Sequence, residues 1–102
     1  MRQMRSPCHL FFETLATELK IDIIEKLREG PKPVGELSKS LGQERSKVSH
    51  ALLSLSECGF VEAERKGKTR VYSINKRTMV PLLSLVESHV KKHCKSCGKL
   101  KR

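Results

Sequence analysis

Tryptophan is absent from this 102-residue chain, tyrosine occurs once and phenylalanine three times. A platform that stacks several bases of a single strand needs more rings than that. No apolar run approaches the roughly 18 residues of a membrane span. The opening stretch, Met1-Arg2-Gln3-Met4-Arg5-Ser6-Pro7, has no apolar core of the kind a secretory signal carries. These gaps predict a soluble, cytoplasmic protein. The length suits one small domain and is too short for a two-domain enzyme with a deep cleft. Catalytic groupings are missing too: the carboxylates are scattered, no glycine-rich phosphate loop is present, and Ser49-His50 is a pair of neighbours on one helix. No enzyme is expected.

Acidic residues are also scarce, 11 against 21 Lys and Arg, for a formal net charge of +10. A surplus of that size points to a polyanionic partner. It is unevenly spread. Residues 1–30 sum to zero, residues 31–59 to +1, residues 60–77 to +4 and residues 78–102 to +5. The positive field therefore belongs to two segments in the second half of the chain.

The hydrophobic pattern predicts four helices, a hairpin and a fifth helix. Residues 8–16 form a short apolar helix, with Ser6 as its cap and Pro7 in its first turn. Ile21, Ile24 and Leu27, with Ile23 on the flank, recur at helical spacing until Gly30-Pro31-Lys32-Pro33 stops the run. A third helix covers residues 34–41 and ends at Gly42. A fourth covers residues 44–58, with Val48, Ala51, Leu52 and Leu55 as its core stripe and Leu53 either adding to it or meeting a neighbouring helix. Alternation then replaces the helical period. Residues 60–65 and 69–74 read as strands joined at Lys66-Gly67-Lys68. The last helix starts near Arg77 with Asn75 as cap and carries apolar residues from Met79 to Val90, which cover more than half its circumference until Val86. Such a helix needs two surfaces to bury against, the second most simply another subunit.

A short helix, a tight turn, a second helix and a basic hairpin make a winged helix-turn-helix, mainly α with a small β-hairpin. Its second helix suits a major groove. With Val48, Leu52 and Leu55 inward, Arg45, Ser46, Ser49 and His50 face outward and Lys47 lies on the flank. These are hydrogen-bonding or cationic side chains fit for base edges and phosphates. The hairpin gathers Arg65, Lys66, Lys68 and Arg70 around Gly67, for contact with phosphates or the minor groove.

In these features the sequence resembles the ArsR-like family of winged-helix transcriptional regulators, over about residues 10–90. The resemblance is carried by Leu15-Ala16, by Val34-Gly35-Glu36-Leu37 through Leu41-Gly42, and by Lys47-Val48-Ser49 with Leu52 and Leu55. Glu57-Cys58-Gly59-Phe60-Val61 and the wing from Gly67 to Ile74 complete it. It implies operator binding by a symmetric dimer built from the first and last helices. Departures limit what carries over. His50-Ala51 stands where the family often has Arg-His, and Thr17-Glu18-Leu19-Lys20 where Asp-Pro-Thr-Arg is common. The third helix lacks the paired cysteines of the arsenic and cadmium sensors. The Asp-x-His zinc pattern of the last helix is only echoed, by Glu87-Ser88-His89.

Metal-ligand spacing occurs once, in His93-Cys94-Lys95-Ser96-Cys97-Gly98. A Cys-x-x-Cys turn can place two thiolates on one zinc ion, and the neighbouring lysines favour the thiolate. Two ligands leave a tetrahedral site half filled, so His93, His89, the Cys8-His9 pair or the partner's equivalent cysteines would complete it. A reversible disulfide and an unused tail are the other two readings. Cys58 is expected to be a packed core thiol.

These features predict a dimeric, sequence-specific DNA-binding regulator, most simply a repressor that occludes promoter DNA, responsive to metal or to redox state. Residues 1–93 form the DNA-binding and dimerisation domain and residues 94–102 a basic tail. Two alternatives use the same features: a protein that coats DNA without regard to sequence, and a winged helix that binds another protein.

Overall fold

The computed structural model describes residues 7–94. Helix α1 (Pro7–Leu15) leads into α2 (Glu18–Leu27), a two-residue strand β1 (Lys32–Pro33), α3 (Val34–Leu41) and α4 (Arg45–Glu57). The hairpin β2 (Val61–Lys66) and β3 (Thr69–Ile74) follows, then α5 (Met79–His93). The four-helix, hairpin, helix order matches the expectation from sequence, and Ser6, its expected cap residue, lies outside the described residues.

The core collects Leu15 from α1, Ile23, Ile24 and Leu27 from α2, and Leu37 from α3, with Val48, Ala51, Leu52 and Leu55 from α4. Phe60, Val61, Tyr72, Ile74 and Met79 close it from the hairpin side. Within α2 the apolar spacing alone misplaces one residue: Ile21 is exposed and Ile23 is fully buried. Leu27 lies four residues after Ile23 and three after Ile24, so those three share one helical face. Thr17 caps the start of α2, its Oγ1 accepting from the Lys20 amide at 3.2 Å.

The sheet has three strands where the sequence suggests two. Residues 30–33 do stop α2, but Lys32 and Pro33 then pair antiparallel with Tyr72 and Val71, giving the order β1-β3-β2. Proline is tolerated on such an edge strand because it need not donate to the ladder. The hairpin register runs from Val61 opposite Ile74 to Lys66 opposite Thr69. A two-residue turn remains, and Gly67 takes its first position at φ 67°, where glycine is favoured in type II′ hairpins.

Two further expectations need correction. Cys58 is exposed, not packed. It ends α4 as the chain swings away through Gly59, and Leu55 and Phe60 take the core positions on either side; its thiol reaches Thr14 Oγ1 at 3.5 Å. Asn75 does not cap α5 with its side chain. Its amide group donates to the Gly59 carbonyl at 3.0 Å, and only its backbone carbonyl accepts from the Met79 amide. The helix accordingly begins at Met79, after Thr78.

Helix α5 buries Met79 and rests Leu82 and Leu83 against the core. Three others face away, Val80 at 37% exposure, Val86 at 44% and Leu85 at 69%, while Val90 is half-buried. Leu10 and Phe12 on α1 are likewise exposed, as is Leu53 on α4, which does not join the core of its own chain.

Candidate nucleic-acid interface

The turn between α3 and α4 sets the angle at which α4 leaves the domain. Gly42 ends α3 in the left-handed region at φ 64°, where a Cβ would be strained. The turn is bonded in both directions: the Gln43 amide donates to the Ser38 carbonyl at 3.1 Å, and Ser38 Oγ donates to the Gln43 carbonyl at 2.6 Å.

Burying Val48, Ala51, Leu52 and Leu55 turns the opposite face of α4 to solvent, and Arg45, Ser46, Lys47, Ser49 and His50 are all exposed. The first turn of α4 contains no acidic residue. Facing it is the wing, whose Arg65, Lys66, Lys68 and Arg70 are exposed as well. A cleft of about 510 Å³ lies between the two and is lined by Arg45, Ser46 and Ser49 on one wall and Arg65, Lys68 and Arg70 on the other. Lys66 is outside this lining. Alternation along β2 turns it away from Arg65.

Two details of this cleft were not singled out from the sequence. Arg65 and Arg70 are direct register partners, and like charges opposite one another destabilise a sheet unless an anion joins them. Gly35, in the first turn of α3, lies beside the Arg45 guanidinium: a Cβ there would stand 3.4 Å from Nη1, at ordinary contact distance. A glycine inside so short a helix costs helix propensity, and that cost was the available signal. On the other side of α4 a second cleft, about 620 Å³, is lined by Thr17, Leu19, Lys20, Ser46, Lys47, His50, Ala51 and Ser54.

The residues expected to hold a metal are placed separately. Cys8 is exposed on α1, His93 is exposed at the end of α5, and Cys94 is half-buried just beyond it. The His89 and His93 rings lie 5.1 Å apart, one helical turn from each other. Cys97 lies outside the described residues. Among the described residues no three His, Cys, Asp or Glu side chains come together as a metal site, and Cys8, Cys58 and Cys94 form no disulfide. Glu87, in the echo of the family's zinc pattern, is engaged by Arg28 at 2.7 Å. No helix among the described residues is long and apolar enough to cross a membrane.

An exposed helix beside a basic hairpin, carried on a three-helix core, defines a winged helix-turn-helix protein. The family model for bacterial regulatory proteins of the arsR family matches residues 17–63, and the chain belongs to that family of transcriptional regulators. It is 39% identical over 71 residues to the HTH-type transcriptional regulator NmtR of Mycobacterium tuberculosis, a match covering 70% of this chain and 59% of NmtR. It is 41% identical over 76 residues to the HTH-type transcriptional regulator Rv0081 of the same organism, covering 74% and 67% respectively. The crystal structure of Rv0081 aligns with a TM-score of 0.78 at 33% identity, over 86% of this chain and 93% of that one. The solution structure of the homodimeric winged helix-turn-helix DNA-binding domain of Mb0332 from Mycobacterium bovis shares the fold, with a TM-score of 0.75 at 22% identity over 94% and 95% of the chains. The chain thus spans about three-fifths of the length of NmtR and two-thirds of that of Rv0081.

Proposed function

We propose that this protein is a homodimeric, sequence-specific regulator that binds double-stranded DNA and represses by occluding a promoter. The observation that carries the reading is the wing-side cleft: an exposed helix face of hydroxyl and cationic side chains, Ser46, Ser49 and Arg45, facing a directly opposed arginine pair. Arg45, Ser46, Ser49 and His50 read base edges in the major groove, with Lys47 near the backbone. Arg65, Lys66, Lys68 and Arg70 meet phosphates or the minor groove, where an anion relieves the Arg65–Arg70 repulsion. The exposed apolar residues of α1 and α5 form the subunit interface, a reading supported by the homodimeric state of the Mb0332 domain.

Selection from a random-sequence library followed by competition at fixed salt tests this. A regulator prefers its selected duplex over random DNA by about 10³-fold or more. Equal affinity would instead identify a protein that coats DNA, and no affinity would identify a protein-binding winged helix.

Zinc is the cofactor proposed for the far end of α5. Cys94 and Cys97 supply two thiolates, and His93 and Cys8 complete the set of four. The described residues of one chain do not close such a site, so this reading depends on Cys97. Elemental analysis of protein purified without added metal should find zinc at a fixed ratio, lost in a Cys94→Ser/Cys97→Ser variant. Metal-free protein whose thiols pair reversibly would assign the motif to redox chemistry instead.

A further inference from the structure

Two clefts flank α4, and Ser46 lines both. At about 100° per residue, Arg45 and Ser49 fall to one side of Ser46, towards the wing. Lys47 and His50 fall to the other, towards the first turn of α2. Helix α4 is therefore a ridge between two troughs. A helix in a major groove about 12 Å wide lies between two sugar-phosphate backbones, and the wing accounts for one of them.

Resting on the DNA-binding reading above, we infer that the α2-side cleft receives the second backbone and that Lys20 contacts its phosphate. Lys20 is half-buried, and its Nζ donates to Ser54 Oγ at 3.0 Å. That bond holds the ammonium against α4 on the same side as Lys47 and His50. An ammonium has three donors, so two remain for phosphate oxygens. No acidic side chain lines the cleft, and a second cation, Lys47, shares it. The arrangement clamps one major groove from both edges, with the long wing on one strand and a short, pre-oriented lysine on the other.

The test uses the full chain and a duplex that the protein itself selects from a random-sequence library. Binding is followed by anisotropy over a series of salt concentrations. Lys20→Met should reduce the magnitude of the log K against log salt slope by about 0.9 per subunit, the loss of one phosphate contact. It should weaken selected and random duplexes alike. Lys20→Arg should keep the wild-type slope, and Arg65→Ala with Lys68→Ala serves as the wing benchmark. A wild-type slope and affinity for Lys20→Met, with the wing variant weakened, overturns the inference and leaves the proposed function standing. If neither variant loses affinity, both readings fall. Phosphate-ethylation interference on the wild-type protein gives an answer that does not depend on how the variants fold. Interference on both strands bounding one major groove is expected, and interference confined to a single strand contradicts the inference.

Discussion

Arg28 Nη1 donates to Glu87 Oε2 at 2.7 Å, joining the end of α2 to the middle of α5 across 59 residues of sequence. The same nitrogen reaches Glu25 Oε1 at 3.2 Å. Helix α5 carries the most exposed apolar surface and α2 lies in the core, so this contact ties the proposed subunit interface to the DNA-binding body. It also occupies the carboxylate that stands in the echo of the zinc pattern.

The hydrogen bond from Arg28 holds the Glu87 carboxyl below its ordinary value, with desolvation opposing and the charges of Arg28 and Lys91 assisting. A lowered carboxyl contributes stability that is present above the unfolded-state pKa and is lost as pH falls through the folded-state value. Glu87 is exposed, so the pair is worth the low end of about 0.2–1 kcal/mol. A double-mutant cycle of Arg28→Ala and Glu87→Ala should give a coupling of that size at neutral pH. The coupling should vanish in acid; one that persists below the carboxylate range contradicts the assignment.

Phe60 is almost fully buried, and its ring meets the Phe11 ring edge-on at 4.7 Å between centroids. Phe60→Ala should cost about 3–5 kcal/mol, a large share of the roughly 5–15 kcal/mol available to a small domain. Denaturant unfolding would show the midpoint shift. Phe12→Ala, at an exposed site on the same helix as Phe11, should shift the monomer's stability far less.

Gly35→Ala should separate stability from binding. Alanine favours helix by about 0.5–1 kcal/mol over glycine, so α3 should gain slightly in thermal stability. The new Cβ would meet the Arg45 guanidinium at ordinary van der Waals distance, 3.4 Å, so DNA binding should stay close to that of the wild type. A variant that binds clearly more weakly in competition assays would show that Arg45 needs the space the glycine leaves.

Leu85 is the most exposed large apolar residue of α5. Leu85→Glu should convert the proposed dimer to a monomer in light scattering, with the helix content of each chain retained. Its affinity for a palindromic duplex should fall, because half-sites are then bound singly. A stable dimer in this variant would move the interface elsewhere.

Much of this architecture was legible from local pattern. Val48, Leu52 and Leu55 at helical spacing already imply that Ser46, Ser49 and His50 face outward, because burial of one face exposes the other. Gly42 and Gly67 mark the two turns because a positive φ favours glycine. The uneven charge, +4 on the wing segment and +1 on the segment that contains α3 and α4, likewise needs no coordinates. It separates backbone affinity from base reading.

Other features depend on residues far apart in the chain, whose proximity no local period encodes. Lys32 and Pro33 become a strand only because β3 offers an edge. Cys58 is exposed because Leu55 and Phe60 occupy the core on either side of the turn. Asn75 is drawn to the Gly59 carbonyl in place of the helix it precedes. Lys20 joins the α4 face through Ser54, 34 residues away. Elements and outward faces follow from spacing along the chain; which cations share a cleft, and which carboxylate Arg28 engages, follow only once packing has chosen their neighbours.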